Sequence, residues 1–315
     1  FPATAKTSGR RAALANWLAR VDHPLTARVI VNRLWQSHFG EGLSRTPSDF
    51  GLVGQAPSHP QLLDYLATEL IRRQWSLKQL HYLIVTSSTY RQAGRVADLA
   101  NSEPEIHQLT ARLDRSERLD PENEWLSRFP RLRLDGETIR DVMLAVAGTL
   151  DSQQGGAGVR PPLSKELVDT LLKKQWEVDP DPRQYQRRSI YVFARRNLRY
   201  PIFELFDRPD GNASCSRRNQ STTAPQSLFL LNSRFSLQTA QQFAGTGLSQ
   251  TSDQEAFIQW VFQRALARPA TVAELQRAIQ FLKDQANRAQ QESRLSGQLA
   301  LPVPVPTRLN PYQAT

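Results

Sequence analysis

The chain is poor in sulfur, with one cysteine and one methionine among 315 residues. A lone cysteine, Cys215, excludes an internal disulfide, a Cys-x-x-Cys pair and a Cys-x-x-Cys-His haem attachment. Folding must therefore rest on an apolar core, which a chain of this length can bury without staples. The five histidines are scattered, with neither His-x-x-x-His nor His-Glu-x-x-His spacing, so the sequence carries no zinc signature and no metal site is expected. A glycine-rich phosphate loop and a Gly-x-Ser-x-Gly elbow are also missing. No apolar run approaches the roughly 20 residues of a membrane-spanning helix. The opening FPATAKTSGRR has neither an initiator methionine nor a hydrophobic signal core, and reads as a domain cut from something longer.

Acidic residues are outnumbered. Forty Lys and Arg stand against thirty Asp and Glu, a formal charge of +10 that suits anionic partners such as acidic polysaccharide, nucleic acid, headgroups or an acidic protein. A nucleic-acid reader should interleave a continuous basic face with exposed aromatics. Here the arginines are spread along the chain and many sit inside apolar runs, which ranks nucleic acid below the other partners.

What is present in quantity is helical spacing. Ser76 and Gln79 make a capping box ahead of Leu77, Leu80 and Ile84, and Thr271 with Glu274 repeats it ahead of Leu275, Ile279 and Leu282. Pro60 in a first turn precedes Leu62, Leu66 and Leu70. Further helices are expected at Ala12 to Ala19, Leu25 to Phe39, Glu137 to Leu150 and Glu255 to Leu266. After the coil GGAGVRPP, the run RRSIYVFARR gathers β-branched and aromatic residues and is the best strand candidate, with Gly158 to Arg160 or QWEV as its partner. The expected fold is mainly α, a multi-helix globular domain with a small β hairpin or ribbon near its middle. Its parts are an N-terminal helical part (1–152), a Gly/Pro-rich loop with the β element (153–210), a C-terminal helical part (211–292) and a Pro-rich tail (293–315), all within one structural domain.

Several polar groups stand out. Arg28, Asn32 and Trp35 fall on one face of an otherwise apolar helix, next to Arg33. A guanidinium buried there would need a carboxylate or several carbonyls, with Asp49, Asp64, Glu69, Glu137 and Asp141 available. Glu137 and Asp141 stand at i, i+4 around Arg140, a spacing that suits either acid/base work or ion pairs to Arg28 or Arg188. The loop Thr46 to Pro60 bears Asp49 and His59, the latter a general base or a helix-cap residue. Cys215 precedes Arg217 and Arg218, and Thr223 with Gln226 caps a helix carrying Leu228, Leu231 and Phe235. Asn232 ends that helix and Ser233 begins the next. Cationic neighbours and a helix start would favour a thiolate, whereas a lone cysteine is more often a small buried hydrophobe. The candidate catalytic groups are thus Asp49, His59, Glu137, Asp141 and Cys215. The candidate ligand-binding groups are Arg28, Asn32, Arg33, Arg140, Arg188, Arg217 and Arg218.

The ordered segments HPLTARVIVNRLWQSHFGEGL, TPSDFGLVGQAPSHPQLLDYLA, WSLKQLHYLIVTSSTYRQ, LDGETIRDVMLAVAG, YQRRSIYVFARRNL and FDRPDGNASCSRRNQSTTAPQSLFLLN resemble a planctomycete-specific domain of unknown function that closes large exported proteins. The resemblance runs from about Arg10 to about Leu282. Arg28, Asn32, Arg33, Asp49, Gly51, His59, Pro60, Arg188, Cys215, Arg218, Ser221 and Thr222 occupy the family's motif positions, without assigned roles. It implies a periplasmic or cell-envelope setting, a c-type cytochrome domain in the same or a partner chain, and a link to polysaccharide or sulfated-glycan breakdown. It implies no cofactor in this chain, haem c belonging to an upstream domain. Three functions remain open: a module binding an anionic or carbohydrate ligand, a helical scaffold in which the same charges close on one another, and a basic nucleic-acid binder. Whether the chain is an enzyme is not legible.

Overall fold

The computed structural model describes residues 8–94, 103–169, 175–195 and 198–296. Among these residues it is mainly helical, and the chain divides into two compact units, Phe1–Arg133 and Leu134–Thr315.

The first unit carries α1 (Arg10–Leu18), α2 (Thr26–Phe39), α3 (Pro60–Arg72), α4 (Leu77–Val85) and α5 (Glu103–Leu119). On α2, Ala27, Val31, Trp35 and Phe39 recur every four residues and are buried. They meet Leu63, Leu66, Ala67 and Leu70 of α3 and Leu80 and Ile84 of α4 in one core. Each large side chain removed from water there contributes about 1.5–3 kcal/mol before the entropy of ordering it. The apolar stripe on α3 is centred on Leu63 and Leu66, with Leu62 only packed against its edge. α2 begins at Thr26 because His23 Nδ1 accepts the N–H groups of Leu25 and Thr26, at 3.3 and 3.1 Å. α1 buries none of its residues. The charged run Glu103–Leu119 forms α5.

The second unit carries α6 (Gly136–Val146), α7 (Lys165–Asp169), α8 (Pro201–Leu205), α9 (Ala224–Asn232), α10 (Arg234–Gln250), α11 (Gln254–Leu266) and α12 (Val272–Ser296). Asp135 caps α6 by accepting the Thr138 N–H at 2.8 Å. That helix stops at Val146 rather than Leu150, because Thr149 N–H turns back onto the Leu144 carbonyl at 2.9 Å. Thr223 and Gln226 form their capping box. Ser233 closes α9 and caps α10, taking the Ser236 N–H at 3.1 Å. α10 and α11 approach so closely that a Cβ on Gly247 would stand 2.7 Å from Phe257 and 2.8 Å from Trp260.

The expected β hairpin does not form. In place of the strand, Ser189–Tyr191 is a 3-10 turn, and among the described residues the surrounding backbone makes isolated bridges, Asp151 with Arg187, Val159 with Val192 and Arg195 with Leu198. The Gly158 to Arg160 segment is the partner. Val159 N–H donates to the Tyr191 carbonyl and Phe193 N–H to the Val159 carbonyl, both at 2.8 Å. The chain bends away because Ser189 is tied to Asp141 and Arg187 is drawn inward, while Ile190 points to solvent. Val159, Val192, Ile202, Phe203 and Phe206 form the second core. The part of the Pro-rich tail beyond residue 296 lies outside the described residues.

Candidate functional site

In the first unit the loop between α2 and α3 folds back over the start of both helices and leaves a cleft of ≈ 390 Å³. It is lined by the pair Arg28 and Asp64, Nε to Oδ1 2.6 Å, and by Pro24, Phe50, Pro57 and Pro60 with Gly51, Gly54, Gln55 and Ala56 of the loop. Arg28 is 37% exposed along its side chain, not embedded as its apolar helix suggested. It also donates Nη1 to the Pro24 carbonyl. Nη2 has no protein acceptor among the described residues. Asp64 is held below its ordinary carboxylate value by the Arg28 hydrogen bond, so it is ionised at neutral pH.

The loop wall is shaped by its own hydrogen bonds. Asn32, fully buried, clamps Ser44: its Oδ1 accepts the Ser44 N–H at 2.8 Å and its Nδ2 donates to the Ser44 carbonyl at 3.0 Å. Asp49 Oδ1 accepts the Gly51 N–H at 2.8 Å, and Thr46 Oγ1 donates to the Asp49 carbonyl at 2.9 Å. At Gly54 a Cβ would lie 2.1 Å from that same carbonyl, so only glycine fits this turn. The turn leaves Leu52 and Val53 fully exposed. His59 Nδ1 pairs with Ser58 Oγ at 3.0 Å, and Arg33 is exposed. Of the motif residues in this unit, Arg28, Gly51 and Pro60 line the cleft, while Asn32 and Asp49 set the loop that walls it.

In the second unit the charged groups close on one another. Arg218 Nη1 donates to Glu137 Oε2 at 2.8 Å and to Asp135 Oδ2 at 3.0 Å, and Arg208 Nε stands 3.5 Å from Glu137. Burial works against the charged form of Arg218, but the hydrogen bond to Glu137 and the charges of Glu137 and Asp135 raise it above its ordinary value. Asp141 Oδ1 takes the N–H and Oγ–H of Ser189 at 2.7 and 2.6 Å, with Arg188 Nε 3.8 Å from Oδ2. Glu137 and Asp141 therefore serve different partners. Cys215 is exposed and its thiol donates to the Arg217 carbonyl at 3.1 Å. The helix downstream of it starts only at Ala224. Ser221 is held by Asp207, which accepts its N–H at 2.7 Å and its hydroxyl at 2.8 Å.

The guanidiniums most removed from water are Arg140, 1% exposed, and Arg187, 2% exposed. Carbonyls, not carboxylates, provide most of their acceptors. Arg140 donates to the Arg187 carbonyl at 2.9 Å, to Ser189 Oγ at 3.1 Å and to the Tyr185 carbonyl, with Asp141 at 3.6 Å. Burial pushes Arg140 below its ordinary value, opposed by Tyr200 and Asp141. Burial also pushes the Tyr200 phenol up. Arg187 stacks on Tyr191 and donates to the Gly155 carbonyl. Sequence reasoning singled out Arg188, which is 57% exposed, and missed its neighbour. Nothing local separates two adjacent arginines. Phe50 and Pro57 were missed as well, since the loop's closure over Arg28 is a long-range event.

Among the described residues no group of three or more His, Cys, Asp or Glu side chains could hold a metal ion, and no helix is long and apolar enough to cross a membrane. A family profile described as PSD1, protein of unknown function (DUF1553), matches residues 10–282. No curated protein and no solved structure matches the chain.

Proposed function

We propose, from the premise that the chain belongs to the PSD1 family of proteins of unknown function, that its first unit is a carbohydrate-binding module taking a neutral sugar between Arg28, Asp64 and Phe50. The charge balance of the cleft carries this reading. Arg28 and Asp64 neutralise each other at 2.6 Å, so the site offers one set of donors and one set of acceptors without net attraction for an anion. Sugar hydroxyls both give and accept hydrogen bonds and match that pair. The apolar ring face of a sugar matches Phe50, Pro57 and Pro60. The volume falls in the range of small-molecule sites, about 300–1,000 Å³.

The second unit supports the scaffold reading for its own charges, because Asp135 and Glu137 are matched by Arg208 and Arg218. In this proposal the module works in the periplasm or cell envelope beside a c-type cytochrome domain, delivering it to polysaccharide. The resemblance of the six sequence segments supports that setting. Isothermal titration against a panel of neutral and sulfated oligosaccharides tests the cleft. A neutral sugar should bind, and Asp64→Asn and Phe50→Ala should each weaken it about tenfold or more while leaving the thermal melt cooperative. Equal binding by the folded variants, a preference for the sulfated sugars, or no binding at millimolar sugar would overturn the reading.

A further inference from the structure

α2 and α4 bring together two histidines that lie 43 positions apart in the chain. Nε2 of His38 stands 2.7 Å from Nδ1 of His81, with the rings 5.0 Å apart between centroids and inclined at 67°. Both rings are half-buried. Their backbones are fixed from below, α2 by Trp35 and Phe39 and α4 by Leu80 and Ile84, all in the core of the first unit. Tyr90 lies edge-on to His38 at 5.5 Å and holds its ring from the side. The other histidines of this unit have local tasks, His23 at the start of α2 and His59 against Ser58.

Two imidazole nitrogens held in a hydrogen bond at 2.7 Å stand close enough for one transition metal ion to take both after a small turn of the rings. We propose that His38 and His81 form a two-imidazole site for a divalent copper-class ion, with water filling its remaining positions. At metal–nitrogen distances of about 2.0–2.1 Å, cis ligands lie about 2.9 Å apart in square geometry and about 3.3 Å apart in tetrahedral geometry. The observed 2.7 Å is nearest the right-angled case. Tetragonal Cu(II) prefers that geometry, and Cu(II) heads the divalent affinity series for nitrogen ligands. Ligation needs neutral rings. In the empty pair one ring donates its N–H across the gap. On binding, that proton moves through solvent to the same ring's outer nitrogen, so two neutral imidazoles take up the ion without net proton release. No spacing rule marks this site, because its two ligands share no helix.

Copper(II) titrated into the full chain against glycine as competitor, read by electron paramagnetic resonance, tests the proposal. One ion per chain should bind in the tight phase, with superhyperfine splitting from two equatorial imidazole nitrogens. His38→Gln and His81→Gln should each lower its affinity by more than about 100-fold, since losing a ligand costs more than losing one of its supporting partners at about 10–100-fold, and His59→Gln should leave it unchanged. Tight binding that persists in both folded variants overturns the proposal. If either variant fails to fold, the wild-type spectrum decides: fewer than two imidazole nitrogens, or no tight phase, overturns it.

Discussion

A single buried amide can set the shape of a whole loop, and Asn32 is such a residue. Its side chain answers both polar groups of the Ser44 peptide unit where no water reaches. Asn32→Ala should orphan a buried N–H and a buried carbonyl at about 1–3 kcal/mol for each. Urea denaturation should register that loss, and sugar binding at the Arg28 cleft should weaken with it, since Ser44 lines the cleft. His38 gives the first unit a pH dependence of definite sign. Its folded value lies below 6.5, so as pH falls below 6.5 the unfolded chain takes up a proton first and stability drops. Above that pH the residue contributes nothing to the slope. Melts at pH 5 and pH 7 should differ more in the parent than in His38→Gln. Asp64 and Glu69 act in a separate, more acidic window. Their folded values lie below 3.8 and 4.5, and their contribution disappears as pH falls through those lowered values.

Helix starts were the most legible elements because a cap is a local contract between residues three apart. Ser76 takes the Gln79 N–H at 3.4 Å, Thr223 and Gln226 close their box, and Thr271 and Glu274 exchange bonds as their spacing required. The strand failed for the opposite reason. Ile190, Tyr191 and Val192 have strand propensity, but Asp141 holds Ser189 from 48 positions away and curls the backbone into a turn. The buried arginines were hidden in the same way, since the carbonyls that receive Arg140 belong to Tyr185 and Arg187 and no spacing rule points to them. The Arg28 partnership was half legible: an acid was demanded, several were available, and folding chose Asp64. The contact of α10 with α11 makes a prediction at this scale. Gly247→Ala would drive a methyl against two aromatic rings, and overpacking of this kind costs about 1–3 kcal/mol. A calorimetric melt should show the loss, and Ala244→Gly on the same helix should not reproduce its structural signature in the Trp260 fluorescence.

On the scale of the molecule, each unit owns its core. The cluster from Ala27 to Ile84 draws every buried member from the first unit, and the cluster from Val159 to Phe206 from the second. A fragment of residues 8–133 should therefore keep helical circular dichroism and melt cooperatively, and it should carry both the sugar cleft and the paired histidines. A broad, non-cooperative melt of that fragment would show that its core is insufficient alone. The excess of arginine also looks different at this scale. Arg140 and Arg187 spend their charge holding carbonyls inside the second unit, and Arg208 and Arg218 face carboxylates. A part of the +10 is thus internal architecture and not an outward signal.

The joint at Ser233 deserves its arithmetic. One residue ends α9 and opens α10, so no slack exists between the two cylinders, and the rotational phase of the second is geared to the first. Inserting a single alanine after Asn232 would carry the start of α10 by about 100° around the axis of α9. Ser236, Thr239 and Thr246 would swing outward together like teeth slipped by one notch, whereas a four-residue insertion would bring the wheel nearly back to its starting mark.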